Sequence, residues 1–116
     1  MNNGKEAGVV ADFATWLTEG GWQVDTKVGW TDVVAVRGVE RLVSEAKGVT
    51  SSPGLDVDTL YGQLLRRMTI ADSTIRYAVI VPPRALNAAL RVPQPVREHL
   101  HIEVYLVAED GTVTRH

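Results

Sequence analysis

The chain contains no cysteine, which excludes disulfide cross-links and thiolate metal sites together. It contains no apolar run near the roughly 20 residues that a bilayer-spanning helix needs, so no membrane partner is expected. Its opening residues, MNNGKEAG, lack the layout of a signal peptide. With the missing cysteines, this makes a cytoplasmic protein the expectation. An excess of positive charge is also absent. The net charge is −2, so any contact with nucleic acid must rest on local patches or on metal ions. Nor is there a recognisable protein nucleophile: Ser44 and Ser51 belong to no serine–histidine pattern. His99 and His101 stand two apart just before a strand, without a third ligand. His116 is terminal.

What remains is ordinary in amount. The 116 residues allow one domain with one core. Hydrophobic residues make up 45% and charged residues 22%, as in a typical globular chain. No internal repeat, linker or low-complexity tract divides it, so residues 1–116 read as a single domain.

The informative stretch is Trp30 to Gly48, WTDVVAVRGVERLVSEAKG. It reads as two strands, Trp30–Arg37 and Arg41–Lys47, joined by Gly38-Val39 with glycine where a positive φ is needed. If Arg37 pairs with Glu40, counting back along both strands sets Asp32 opposite Glu45. Opposed side chains have Cβ atoms about 4.5–5.5 Å apart. Strand alternation sends Glu45 and Lys47 to one face and Ala46 to the other. The hairpin thus gathers two carboxylates and an ammonium on one side of a sheet. Facing carboxylates destabilise a strand pair. A divalent cation removes the conflict, since Mg²⁺ favours one or two protein carboxylates and completes its shell with water and phosphate oxygens. A nearby lysine then orients water or stabilises charge developing on a phosphate. By itself, E-x-K is a common polar edge; the matched Asp32 is what gives it meaning.

The rest of the chain is punctuated by turn residues. Gly4–Leu17 reads as an amphipathic helix with Val9, Val10, Phe13, Trp16 and Leu17 as its apolar stripe. Glu6 falls in line with that stripe. It is either a buried carboxylate in need of a partner or a first-turn acid favoured by the helix dipole. Gly20-Gly21 ends the helix, and Trp22–Val28 is a strand. The connection GVTSSPG holds Ser51 and Ser52, where a chain can approach a phosphate backbone or simply turn. Leu55–Ala71 is a second helix. Its apolar side is Val57, Leu60, Tyr61, Leu64, Leu65 and Met68, with Thr59, Gln63, Arg66 and Arg67 on the adjacent face. Arg76–Val81 is a short apolar strand, expected at a buried central position, ended by Pro82-Pro83. Arg84–Leu90 is a short helix broken by Pro93–Pro95, and Val96–Leu100 is another helical turn. Ile102–Val107 and Thr112–Arg115 are strands. The first three strands can form an antiparallel meander, with the second helix crossing over to set Arg76–Val81 parallel to Arg41–Lys47. This is an α/β fold, a mixed sheet with helices on its faces.

Over Gly4–Val81 this order, α-β-β-β-α-β, with Asp32 and Glu45-Ala46-Lys47 on the second and third strands, resembles the PD-(D/E)XK, or restriction-endonuclease-like, nucleases. The nearest subgroups in pattern are the Mrr-like, archaeal Holliday-junction-resolvase-like and RecB-like enzymes. Many members carry a glutamate on the first helix, which Glu6 matches, and a glutamine on the helix after the lysine strand, which Gln63 resembles. Thr31 precedes Asp32 in place of the motif's proline, which is absent in many members. The resemblance implies a metal-dependent nuclease, acting on DNA more than RNA. It implies Mg²⁺ or Mn²⁺ held by Asp32, Glu45 and the Ala46 carbonyl, with Glu6 on a second ion or a metal-bound water. Lys47 would position the attacking water or stabilise charge at phosphorus, and Gln63 would hydrogen-bond near the scissile strand. Arg66 and Arg67 would contact phosphates, although for at least one of them a solvated helix face is the simpler role. Small members often act as homodimers or within larger assemblies, and the strand after Leu100 offers an interface. The competing expectation is a non-catalytic module of the same fold that binds nucleic acid or a protein. A third is that D…ExK is accidental, which Asp32 and Glu45 on opposite faces of the sheet would reveal.

Overall fold

The sheet grows strand by strand in chain order. In a computed structural model, which describes residues 4–29, 31–48, 51–69, 72 and 74–116, six strands lie side by side in the sequence β1-β2-β3-β4-β5-β6. They are β1 (Gln23–Val28), β2 (Thr31–Arg37), β3 (Glu40–Ala46), β4 (Ile75–Val81), β5 (Ile102–Val107) and β6 (Val113–Arg115). β1, β2 and β3 form the antiparallel meander, β4 and β5 run parallel to β3, and β6 turns back antiparallel. Four helices accompany them: α1 (Glu6–Glu19), α2 (Pro53–Arg66), α3 (Leu86–Ala89) and α4 (Gln94–His99). The αβββαβ core with a mixed central sheet is therefore present.

Each face of the sheet buries one cluster. On one side Val9, Phe13 and Leu17 of α1 cover Val33, Ala35, Leu42, Ala46, Ala78, Ile80 and Tyr105. On the other, Val57, Leu60, Tyr61 and Leu64 of α2 cover Tyr77, Val79, Val81, Ile102 and Val104. Beyond Arg76, which pairs with Glu40 and Glu103, β4 is buried on both faces, and its sequence, IRYAVIV, accordingly shows no polar–apolar alternation.

Several boundaries differ from the sequence reading. α1 begins at Glu6 and reaches Glu19, where Gly21, with φ +89°, closes a Schellman turn: its N–H bonds to the Thr18 carbonyl and that of Trp22 to Leu17. α2 starts earlier than Leu55, because Pro53 fits the first helical turn. It stops at Arg66, well short of Ala71. Leu65 is 47% exposed and Trp16 38%, so neither belongs to its helix's buried stripe. Arg84–Leu90 splits into a 3₁₀ turn, Pro83–Ala85, and the single turn of α3. Pro95 helps start α4 rather than breaking a helix. β3 ends at Ala46, one residue before Lys47. The strand after Leu100, β5, is interior rather than exposed; the edge is the three-residue β6. Trp30 and Ala71, the expected ends of a strand and a helix, lie outside the described residues.

Candidate functional site

The β2–β3 loop fixes the site. Gly38 has φ +60°, and the two-residue loop pairs Arg37 with Glu40. The register then runs without a slip to Val33 opposite Ser44, so Asp32 and Glu45 face each other at the next step. Ser44 and Val33 belong to the α1 side, which leaves Asp32 and Glu45 together on the α2 side. They share a face, as the hairpin geometry requires. The ladder ends there. Its next hydrogen-bonded pair would send the Ala46 N–H to Thr31; instead that N–H donates to Asp32 Oδ2 at 2.9 Å. The strands fork, and the aspartate side chain bridges the fork.

Glu45 is almost fully buried, 2% exposed. Arg67, the C-cap of α2, donates from Nε to Glu45 Oε1 at 3.0 Å. Burial pushes the Glu45 carboxyl up to about 7, against the pull of Arg67, and the neighbouring Asp32 charge and hydrogen bond add to the rise. Burial and the facing Asp32 carboxylate thus both favour the protonated form of Glu45.

Beside this pair lies a cavity of about 130 Å³. β2 and β3 give it Asp32, Glu45, Ala46 and Lys47; α2 gives Asp56, Thr59 and Gln63; the first turn of α1 gives Glu6. Glu6 is exposed, so it is not on a buried face, although it stays in line with Val9 and Phe13. It reaches the cavity because Gly48 lets the chain pass against the start of α1. A Cβ on Gly48 would meet the Glu6 backbone nitrogen, Glu6 Cα at 2.8 Å and the Gly4 carbonyl at 2.9 Å. Lys47 is anchored by its N–H to the Ile80 carbonyl (3.0 Å). Its half-buried side chain has no ion pair or hydrogen bond among the described residues, nor do the side chains of Gln63 and Glu6.

The remaining candidates fall outside this cavity. Arg66 is exposed at the end of α2, Ser51 and Ser52 are exposed where α2 begins, and Arg67 is engaged with Glu45. His99 and His101 are exposed at the start of β5, while the site lies at the opposite, C-terminal end of the parallel strands. Asp56 and Thr59 were not singled out from sequence as site residues. Their spacing to Gln63, three and four residues apart along one helix face, was the available signal.

The donor set suits a hard cation. Each carboxylate keeps one oxygen beyond those used by Ala46 and Arg67. Glu6 and Asp56 make the surroundings still more acidic, so an anionic substrate needs a cation there. Among the described residues no three acidic or histidine side chains enclose an ion by themselves.

No protein-family model matches the sequence, and no curated protein does. Solved structures do match. An fdxN element excision controlling factor protein from Anabaena variabilis superposes with a TM-score of 0.62 at 17% identity, covering 91% of this chain and 95% of that one. An XisH family protein from Nostoc punctiforme gives 0.61 at 20% identity, covering 91% and 93%. At these identities the likeness is one of fold. Among the described residues no helix is long and apolar enough to cross a membrane.

Proposed function

We propose that the chain is a Mg²⁺- or Mn²⁺-dependent nuclease, acting on DNA in preference to RNA. The observation that carries this is the carboxylate pair Asp32–Glu45 beside the half-buried ammonium of Lys47, which has no ion pair or hydrogen bond among the described residues. The sequence resemblance supports it, and an element excision controlling factor among the fold neighbours accords with work on DNA.

Asp32, Glu45 and the Ala46 carbonyl would hold the ion. Such an ion, when bound, lowers the pKa of water and offsets charge on a phosphoryl oxygen. The chain's own residues do the rest. Glu45 would release the proton that burial lets it keep near neutrality, leaving two carboxylates for the ion. Arg67 holds Glu45 in one orientation. Lys47 places positive charge where the phosphorus would accumulate negative charge, in a recess where water screens it poorly. Gln63 and Glu6 offer hydrogen bonds to the substrate or to ordered water. Ser51 and Ser52, at the start of α2, and Arg66, at its other end, would contact phosphates away from the reacting one. DNA as partner, action as a homodimer or in a larger assembly, and a cytoplasmic setting belong to the same proposal.

A second reading, a non-catalytic module binding nucleic acid or protein, draws on the Arg67–Glu45 ion pair, which already neutralises one of the two carboxylates. The test compares wild type, Asp32→Asn and Lys47→Ala on plasmid, linear, single-stranded and branched DNA, alongside Mn²⁺ thermal shifts. We expect cleavage by wild type alone, and a Mn²⁺-dependent rise in Tm that Asp32→Asn abolishes and Lys47→Ala keeps. Cleavage that survives both substitutions would refute the assignment. Absence of both cleavage and metal binding would select the module.

A further inference from the structure

A second cavity, about 310 Å³, adjoins the first. Glu6 and Asp32 line both. The rest of its wall is Ala7, Val10 and Ala11 of α1 with Thr26 and Lys27 of β1. Lys27 is unusual in two ways. It lies within a strand yet has φ +56°, a left-handed conformation that costs an L-residue about 1–2 kcal/mol. Its neighbours pair normally, Thr26 with Val33 and Val28 with Thr31, so the kinked residue is the one opposite Asp32. Its exposed ammonium makes no ion pair or hydrogen bond among the described residues. Strain of this kind concentrates at functional sites.

The chemistry of the cavity narrows its occupant. Small apolar side chains form one wall, with room for a ring system to lie against them. Two carboxylates accept hydrogen bonds but repel an anion. Lys27, on the β1 side, is the one cation among the described residues lining it. The occupant is therefore neutral and partly apolar where it meets α1, able to donate hydrogen bonds, and anionic only where it meets Lys27. The cavity shares Asp32 and Glu6 with the first, so on the nuclease reading its occupant would sit beside the reacting phosphate.

Resting on the nuclease reading above, we propose that this cavity receives the sugar and base of the nucleotide flanking the scissile phosphate, and that Lys27 binds the next phosphate along the strand. Lys27 is on this view a binding residue, distinct from Lys47 at the reacting centre.

The probe is a fluorescently labelled short oligodeoxynucleotide, titrated by anisotropy with Ca²⁺ in place of Mg²⁺, against the full chain and three variants. Lys27→Asn removes the charge with a residue that tolerates φ > 0. Lys27→Arg restores it. Ala11→Leu fills the cavity from an exposed helix position with a good helix former; circular dichroism checks that each variant is folded. We expect Lys27→Asn to bind about tenfold more weakly, with a salt dependence reduced by about one phosphate contact, and Lys27→Arg to bind like wild type. Ala11→Leu should lose affinity for the intact oligonucleotide but match wild type on one lacking the base beside the central phosphate. Equal binding by Lys27→Asn and wild type at low salt would overturn the subsite, even where Asp32→Asn abolishes cleavage and the nuclease reading stands. So would equal losses for Ala11→Leu on both oligonucleotides, or no binding by wild type. Weakened binding by Lys27→Asn in a protein that cleaves nothing would keep the subsite and defeat the hydrolytic reading.

Discussion

Glu45 releases its proton near 4.5 in an unfolded chain and near 7 in the folded one, chiefly because burial disfavours its charge. Between those values the folded state binds more protons than the unfolded state. Metal-free stability therefore falls as pH rises across that window, by about 3 kcal/mol when complete. Glu45→Gln, which keeps the shape and removes the titration, should flatten the profile and leave the variant more stable than wild type at pH 8, while matching it near pH 4.5. Urea denaturation in a chelating buffer at several pH values measures both. The opposition of Glu45 to Asp32 was legible in the sequence, since a two-residue loop leaves one register open. The Arg67 partner was not: twenty-two residues separate it from Glu45, and their meeting depends on where α2 ends against the sheet.

At the scale of elements, the site depends on a close crossing. The Gly48 backbone passes the first turn of α1 with no space for a side chain. Gly48→Ala should push that turn away, destabilise the fold by about 2 kcal/mol or more through overpacking against backbone, and carry Glu6 out of the cavity. Chemical denaturation reads the first effect, and the metal-induced thermal shift reads the second. Helix α2 supplies a sharper contrast. Leu64 is fully buried and Leu65 47% exposed, although the helical stripe read from sequence held both. Leu64→Ala should cost about 2–5 kcal/mol, and Leu65→Ala within about 0.5 kcal/mol of nothing. Apolar spacing locates a helix and its general facing. Which of two adjacent leucines is covered depends on the packing angle against β4, and local periodicity carries no record of that. From sequence, Pro53 reads as part of a turn and Pro93–Pro95 as a helix breaker. Pro53 and Pro95 each open a helix, because the first turn has no use for the missing N–H.

For the whole molecule, the strand pattern was sufficient to anticipate the meander and the parallel crossover, because hairpin loops and a single intervening helix leave few topologies open. The C-terminal third was less legible. Its short helices contain prolines, and the pairing of β5 with β4 is a long-range choice. Protection against hydrogen exchange should follow position in the sheet: highest in β3 and β4, which have partners on both sides, and lowest in the edge strands β1 and β6. Exchange at β6 as slow as at β4 would point to a further chain paired along that edge.

The strictly sequential strand order bears on how the site comes into being. The residues lining the first cavity run from Glu6 to Gln63, and the β2–β3 hairpin that opposes the two carboxylates is closed by local contacts. As a chain leaves the ribosome N-terminus first, that hairpin can form before Ile75–Val81 has emerged. Until β4 pairs with β3 and α2 settles over both, Glu45 remains hydrated and ionises like any surface acid. The arrival of β4 and α2, rather than the acidic residues themselves, converts Glu45 into a group that keeps its proton near neutrality. In a nascent chain the carboxylate pair thus precedes its own chemistry.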